Sequence, residues 1–124
     1  MIRKKLGELK WHDRFTYKKN IVFDESDLNQ KGAKFQIVKF PENTTIKPHY
    51  HKKVTEIFYI LSGKGTFSFN GKKTNAKKHD MMLCQPRDVH EISNNAKKEL
   101  VILIFKTNEN PRDICWIKRK TKAK

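Results

Sequence analysis

Residues 49–63 read His49-Tyr50-His51-Lys52-Lys53-Val54-Thr55-Glu56-Ile57-Phe58-Tyr59-Ile60-Leu61-Ser62-Gly63. On extended backbone His49 and His51 share a face, because strand side chains repeat every second residue. Glu56 stands five positions beyond His51, so an unbroken strand would aim it to the other side. If all three meet at one ion, the chain must turn or bulge within Lys52–Thr55. Neutral imidazoles and one carboxylate suit a divalent transition metal. From Glu56 onward the pattern is that of a strand, with Glu56, Phe58 and Ile60 on one face and Ile57, Tyr59 and Leu61 on the other. Both faces are apolar, as in a strand covered on both sides. The outer cover is expected to be the N-terminal segment or a second copy of the chain in a homodimer.

The texture on either side is also β. Lys34–Phe40 alternates, with Phe35, Ile37 and Lys39 on one face and Gln36, Val38 and Phe40 on the other, and it stops at the turn signal Pro41-Glu42-Asn43. Gly63–Asn70 and Lys72–Ala76 read as a hairpin closed by Asn70-Gly71, a dipeptide suited to a two-residue turn. Asp80–Cys84, His90–Ser93, Leu100–Lys106 and Asp113–Lys118 supply further short strands between polar loops. Strands at this spacing predict an all-β antiparallel sandwich or barrel over residues 34–117. Residues 1–33 form an extension expected to pack on the barrel or on a partner. Trp11 and Phe15 are its apolar flap, Asn20–Phe23 an edge strand and Asp24–Gly32 a loop. The tail 118–124 carries five cationic side chains and no apolar anchor, and is expected to be flexible.

A chain of 124 residues favours one domain with a modest core. No apolar run reaches the roughly 20 residues that span a bilayer, and no apolar signal segment follows the basic N-terminus. The expected location is cytoplasmic, without a membrane partner. Cys84 and Cys115 fit neither a CxxC pair nor a disulfide framework and are read as buried apolar residues. The net charge of +15 comes from 23 lysines and only five arginines spread over nearly every loop. Arginine is the bidentate phosphate reader, and no nucleic-acid-binding motif is present, so specific nucleic-acid binding is not expected. A basic surface does concentrate small anions.

A metal with two histidines and a glutamate still needs a further ligand. His90 is the candidate, since it follows Pro86-Arg87-Asp88-Val89 and opens a short strand. His12 and His79, isolated among polar residues, are read as exposed.

These residues resemble the two motifs of the cupins, the double-stranded β-helix (jelly-roll) family. The first, G-x5-H-x-H-x3,4-E-x6-G, is matched by Asn43, His49, His51, Glu56 and Gly63 at every interval. The second, G-x5-P-x-G-x2-H-x3-N, is matched by His90 and Asn94, with His79, Gln85 and Arg87 in place of its glycines and proline. The likeness spans roughly Lys34–Phe105, the bulk of a single cupin domain. It implies an antiparallel β-barrel holding one divalent transition metal ion (Mn, Fe, Zn, Ni or Co) on His49, His51, Glu56 and His90. Such a set can leave two neighbouring positions open on a six-coordinate ion. Phe58 and Ile60 follow Glu56 inward, and Phe58 is the candidate substrate-contacting residue. No catalytic side chain beyond the ligands is expected, Tyr59 pointing outward. The implied function is that of a metal-dependent enzyme acting on a small anionic or hydroxylated metabolite, as an oxygenase, isomerase or lyase. The alternative is a non-catalytic binding or sensing module whose metal anchors the ligand.

Overall fold

The computed structural model describes residues 1–14 and 16–118. Phe15, one half of the expected apolar flap, and positions 119–124 of the expected flexible tail lie outside the described residues. After a single 3-10 turn at Leu6–Glu8 the chain is all strand. In order these are β1 (His12–Arg14), β2 (Tyr17–Phe23), β3 (Lys34–Phe40), β4 (Thr44–Tyr50), β5 (Thr55–Ser62), β6 (Lys64–Phe69), β7 (Lys72–Lys77), β8 (Met81–Cys84), β9 (His90–Asn94), β10 (Leu100–Thr107) and β11 (Cys115–Trp116).

The strands form two antiparallel sheets. One runs β1-β2-β3-β10-β5-β8 and the other β11-β4-β9-β6-β7. Chain neighbours such as β3 and β4, or β4 and β5, sit in different sheets, so the chain crosses between the layers of a jelly roll. The interior is apolar and drawn from both layers: Val38 and Phe40 on β3, Phe58 and Ile60 on β5, Phe67 on β6, Ile92 on β9, and Leu100, Ile102 and Ile104 on β10.

The expected parity of β5 holds. Glu56, Phe58 and Ile60 are buried, while Ile57 is 43% exposed on the outer face. That outer face is only partly covered. Leu9 and Trp11 of the N-terminal segment pack with Leu61 and Leu103 over Val22, Ile37 and Val101. The ammonium of Lys39 sits 4.1 Å from the Trp11 ring centre, Asn20 donates its side-chain amide to the Lys10 carbonyl, and Lys4 donates to the Val22 carbonyl. Farther along the sheet Ile57, Met81 and Leu83 remain exposed.

Three details differ from the sequence reading. Asn20–Phe23 is the end of a longer strand, β2; the short β1 pairs only with its Tyr17–Lys19 half, so Asn20–Phe23 pairs with β3 alone and keeps the edge position expected of it. The expected strand Asp113–Lys118 contracts to Cys115–Trp116, because Asp113 is engaged instead in capping a turn described below. Thr44–Tyr50 is a full strand that contains Pro48, tolerated at a bulge: Ile46 pairs with Ile92 and His49 with His90, so Lys47 and Pro48 stand opposite Glu91 alone.

Candidate metal centre

That bulge decides where the histidines point. Thr44 is buried and Ile46 packs against the core, so β4 begins with its even-numbered residues inward. The extra residue at Lys47-Pro48 reverses the parity and brings His49 inward, opposite His90 on β9. His51 follows just past the end of β4. The chain then bends at Lys52-Lys53 and re-enters as β5 with Glu56 facing inward from the other sheet. The bend is held by Asp113, whose carboxylate accepts the Lys52 and Lys53 backbone N–H groups at 2.8 and 2.9 Å. These bonds pull the Asp113 carboxyl below its ordinary range.

The four residues converge. The ring centres of His49 and His90 are 4.1 Å apart, those of His49 and His51 5.2 Å, and those of His51 and His90 5.5 Å. Glu56 Oε1 lies 3.0 Å from His51 Nε2 and 3.3 Å from His90 Nε2. Each ring is oriented through its other nitrogen. Nδ1 of His49 bonds the Lys47 carbonyl at 2.8 Å, Nδ1 of His51 the Asp113 carbonyl at 2.5 Å, and Nδ1 of His90 the Asp88 carbonyl at 2.9 Å. A carbonyl only accepts, so each Nδ1 carries a proton, and in its neutral form each ring presents a bare lone pair on Nε2. Glu56 Oε1, buried and close to two such nitrogens, has no aligned hydrogen-bond donor. Three imidazole lone pairs and a carboxylate oxygen without a proton between them are the donor set a divalent cation requires. Backbone carbonyls that fix the ring tautomers are the usual support of such a set. The ligand atoms of His49, His51 and His90 lie within 4.8 Å of one another, as do those of Glu56, Cys84 and His90. This cluster can hold a metal ion.

The electrostatics of the metal-free cluster differ from ring to ring. Burial, reinforced by His90, lowers the His49 pKa to about 4, so its ring is neutral at pH 7. Burial also pulls His51 down, but the Glu56 carboxylate and the Asp113 carbonyl outweigh it and leave that ring raised. Burial opposes the charge on Glu56, yet His51, His90 and Lys106 hold its carboxyl far below the usual range. Lys106 Nζ stands 3.8 Å from Glu56 Oε2.

Behind the cluster the barrel is lined by aromatic rings. Phe58 is 1% exposed and its ring lies 6.1–6.4 Å from those of His90, Phe67 and Phe69. At the mouth Trp116, more than half exposed, sets its ring 4.9 Å from that of His49. His12 and His79 are exposed, away from the cluster.

The supporting residues were the part the sequence reading missed. Besides Asp113, Asn70 does more than turn a hairpin. Its side chain accepts the Val89 N–H at 2.8 Å and donates to Asp88 at 3.1 Å, while Asp88 accepts the Gln85 N–H at 2.9 Å, fixing the loop before His90. Cys84, read as ordinary core, is buried with its sulfur 3.3 Å from His90 Nδ1. Burial, with Glu56 and Asp88 nearby, pushes its thiol up to about 12.

The glycine departures are absorbed locally. Asn43, His79 and Arg87 all keep the left-handed backbone (φ 62°, 78° and 73°) that glycine would adopt. The Arg87 N–H donates to the His51 carbonyl at 2.7 Å, which ties that strained residue to the site. Where glycine remains, at Gly63, φ is +82° and a Cβ would meet the Glu99 carbonyl oxygen at 2.5 Å. Asn94, the last residue of the second motif, is fully buried and donates to the carbonyls of Phe40 and Lys98 at 2.9 and 3.0 Å, joining β9 to the turns beside it.

Fold and cluster together define a double-stranded β-helix with a metal-competent interior. The family model of the cupin domain matches residues 36–106, more than half of the chain, and this protein belongs to the cupin family. It is 32% identical over 82 residues to an oxalate-binding protein of Thermotoga maritima, covering 66% of this chain and 68% of that one. Among solved structures it resembles a predicted oxalate decarboxylase of the same organism, with a TM-score of 0.80 and 22% identity over 86% of this chain and 98% of that one. It also resembles the polyketide cyclase RemF of Streptomyces resistomycificus, with a TM-score of 0.83 and 14% identity over 97% of this chain and 87% of that one. At these identities the structural likenesses establish the fold alone. No helix among the described residues is long and apolar enough to cross a membrane.

Proposed function

We propose that this cupin holds one divalent transition metal ion on His49, His51, Glu56 and His90 and is a metal-dependent enzyme acting on a small carboxylate. The observation that carries the reading is the tautomer pattern: three Nδ1 protons donated to carbonyls, three Nε2 lone pairs left beside an unpartnered Glu56 oxygen. When bound, such an ion supplies Lewis-acid or oxygen-binding chemistry at its open positions. The chain's own side chains do the rest. Phe58, Phe67 and Phe69 keep water from the rear of the site, Lys106 offers positive charge beside Glu56, and Trp116 walls the mouth next to His49.

The likeness to an oxalate-binding protein favours a carboxylate ligand and makes oxalate the first compound to try. Elemental analysis of protein purified without added metal tests the centre. Turnover of oxalate with Mn²⁺, Fe²⁺, Co²⁺, Ni²⁺ or Zn²⁺, with and without oxygen, separates an oxygenase from a lyase or isomerase. A second reading, ligand binding without turnover, draws on Cys84, whose thiol stays protonated beside His90 and offers no base at neutral pH. Tight binding with no product under any of these metals would select it.

We also infer a cytoplasmic homodimer. Ile57, Met81 and Leu83 lie at the edge strand β8, where a two-fold axis would pair the free edge with its own copy and bury the patch. A monomer by light scattering would overturn this.

A further inference from the structure

A second polar group stands on the inner wall of the same barrel, on strands that carry none of the four candidate ligands except through a shared row. Lys106 on β10 pairs with Glu56 on β5 and with Lys34 on β3, so these three side chains lie in one row on the inner face. Lys19 on β2 is opposite Val38, a core residue, and therefore also points inward. Gln36, opposite Ile104, is the next inward residue after Lys34.

This wall has more positive charge than its partners balance. Lys34 is paired with Glu109 at 3.2 Å and Lys106 approaches Glu56 at 3.8 Å. Lys19 is half-buried and in no ion pair among the described residues. Burial, then repulsion from Lys34, Arg14 and Lys106, lowers its pKa to about 8. Three lysines thus face two carboxylates, one of which is a candidate metal ligand. Ammonium groups crowded on a half-buried wall, one of them without an ion pair, suit an anion.

We propose that Lys19, Lys34 and Lys106 form an anion subsite for the far end of the ligand, so that the ligand is a small dianion: one carboxylate directed to the histidine–glutamate cluster, the other anionic group, carboxylate or phosphate, held by the lysines. The Lys34 and Glu56 backbones are two strand spacings apart, roughly 10 Å. The first half of this statement rests on the metal reading; the lysine subsite does not.

The test is calorimetric titration of the metal-loaded protein with butyrate, oxalate, succinate, glutarate and phosphoglycolate. Succinate or glutarate is expected to bind about tenfold more tightly than butyrate, the gain of one charge-assisted contact. Phosphoglycolate outranking both identifies phosphate as the second group. Lys19→Gln and Lys34→Gln are expected to remove most of that tenfold, leaving butyrate affinity and metal content within about twofold of wild type. Equal affinities for succinate and butyrate, or dianion binding untouched by both substitutions, would overturn the proposal. If elemental analysis finds no metal, the metal reading fails separately. The subsite is then tested with inorganic phosphate on the metal-free protein, where binding must be present in wild type and lost in the double variant.

Discussion

Two inner walls of one barrel carry polar groups, and they solve the problem of burial in opposite ways. On the histidine wall the charges and lone pairs converge: three rings, oriented by backbone carbonyls, surround one carboxylate. On the lysine wall they diverge, with Lys19 half-buried among cations. The first wall offers lone pairs that suit a cation, the second ammonium groups that suit an anion. A site with one of each can hold a ligand at both ends, which neither wall could do alone.

The contrast can be broken by experiment, beginning where the effect is largest. Glu56→Ala or His90→Ala removes a convergent donor and is expected to lower metal affinity at least about a hundredfold, beyond the loss usual for an outer-shell change. Unchanged metal content in either variant would dissolve the histidine wall as a centre.

Acid should act on this wall next. His49 has a folded pKa near 4 against an ordinary 6.5, so the unfolded chain binds the extra proton first. Stability of the metal-free protein should therefore be full above pH 6.5 and fall as pH drops toward 4, by up to roughly 3 kcal/mol from this ring. The depressed Glu56 carboxyl works in the same direction as pH falls through the acid range, while the raised His51 opposes both. Urea denaturation at pH 7 and pH 4.5 measures the drop, and His49→Gln should flatten it. An equally steep drop in that variant would assign the effect elsewhere.

Asp113→Ala leaves every candidate ligand in place and releases only the Lys52-Lys53 bend between His51 and Glu56. Metal affinity should fall about tenfold, as for other groups that orient ligands. No change by competition with a chelator would mean that the bend holds itself.

Lys19→Met should do the reverse of these. It relieves burial and repulsion of a cation that pairs with none of the described carboxylates, and after solvent screening the gain at pH 7 is about 1 kcal/mol. Lys19 loses its charge in the native state near pH 8 and in the unfolded state near 10.5, so the advantage should shrink as pH rises between those values. A destabilised Lys19→Met at pH 7 would show the lysine wall to be balanced after all, and would remove the contrast.

The two walls also differ in how far they were legible. His49, His51, Glu56 and His90 stand out because their residue types and intervals are unusual, and the need for a bend before Glu56 followed from strand parity alone. Lys19, Lys34 and Lys106 are three lysines among 23, spread over three strands. No spacing announces that they share a face. Asn70 and Asp113 were hidden for a related reason. Asn70 satisfied its local role as a turn residue, and Asp113 lies about 60 positions from the amides it caps.

By itself the sequence determined the all-β class, the inward and outward faces of β3 and β5, the Asn70-Gly71 hairpin, and the cupin resemblance that the family match bears out. These depend on short-range rules: a period of two, turn chemistry, and motif intervals. Only the tertiary structure decided that a bulge at Pro48 turns His49 inward, that non-glycine residues at 43, 79 and 87 keep a left-handed backbone, and that lysines from three strands line the same interior. Those outcomes depend on register between strands distant in the chain. A one-residue slip there exchanges inside for outside, and no local pattern records it.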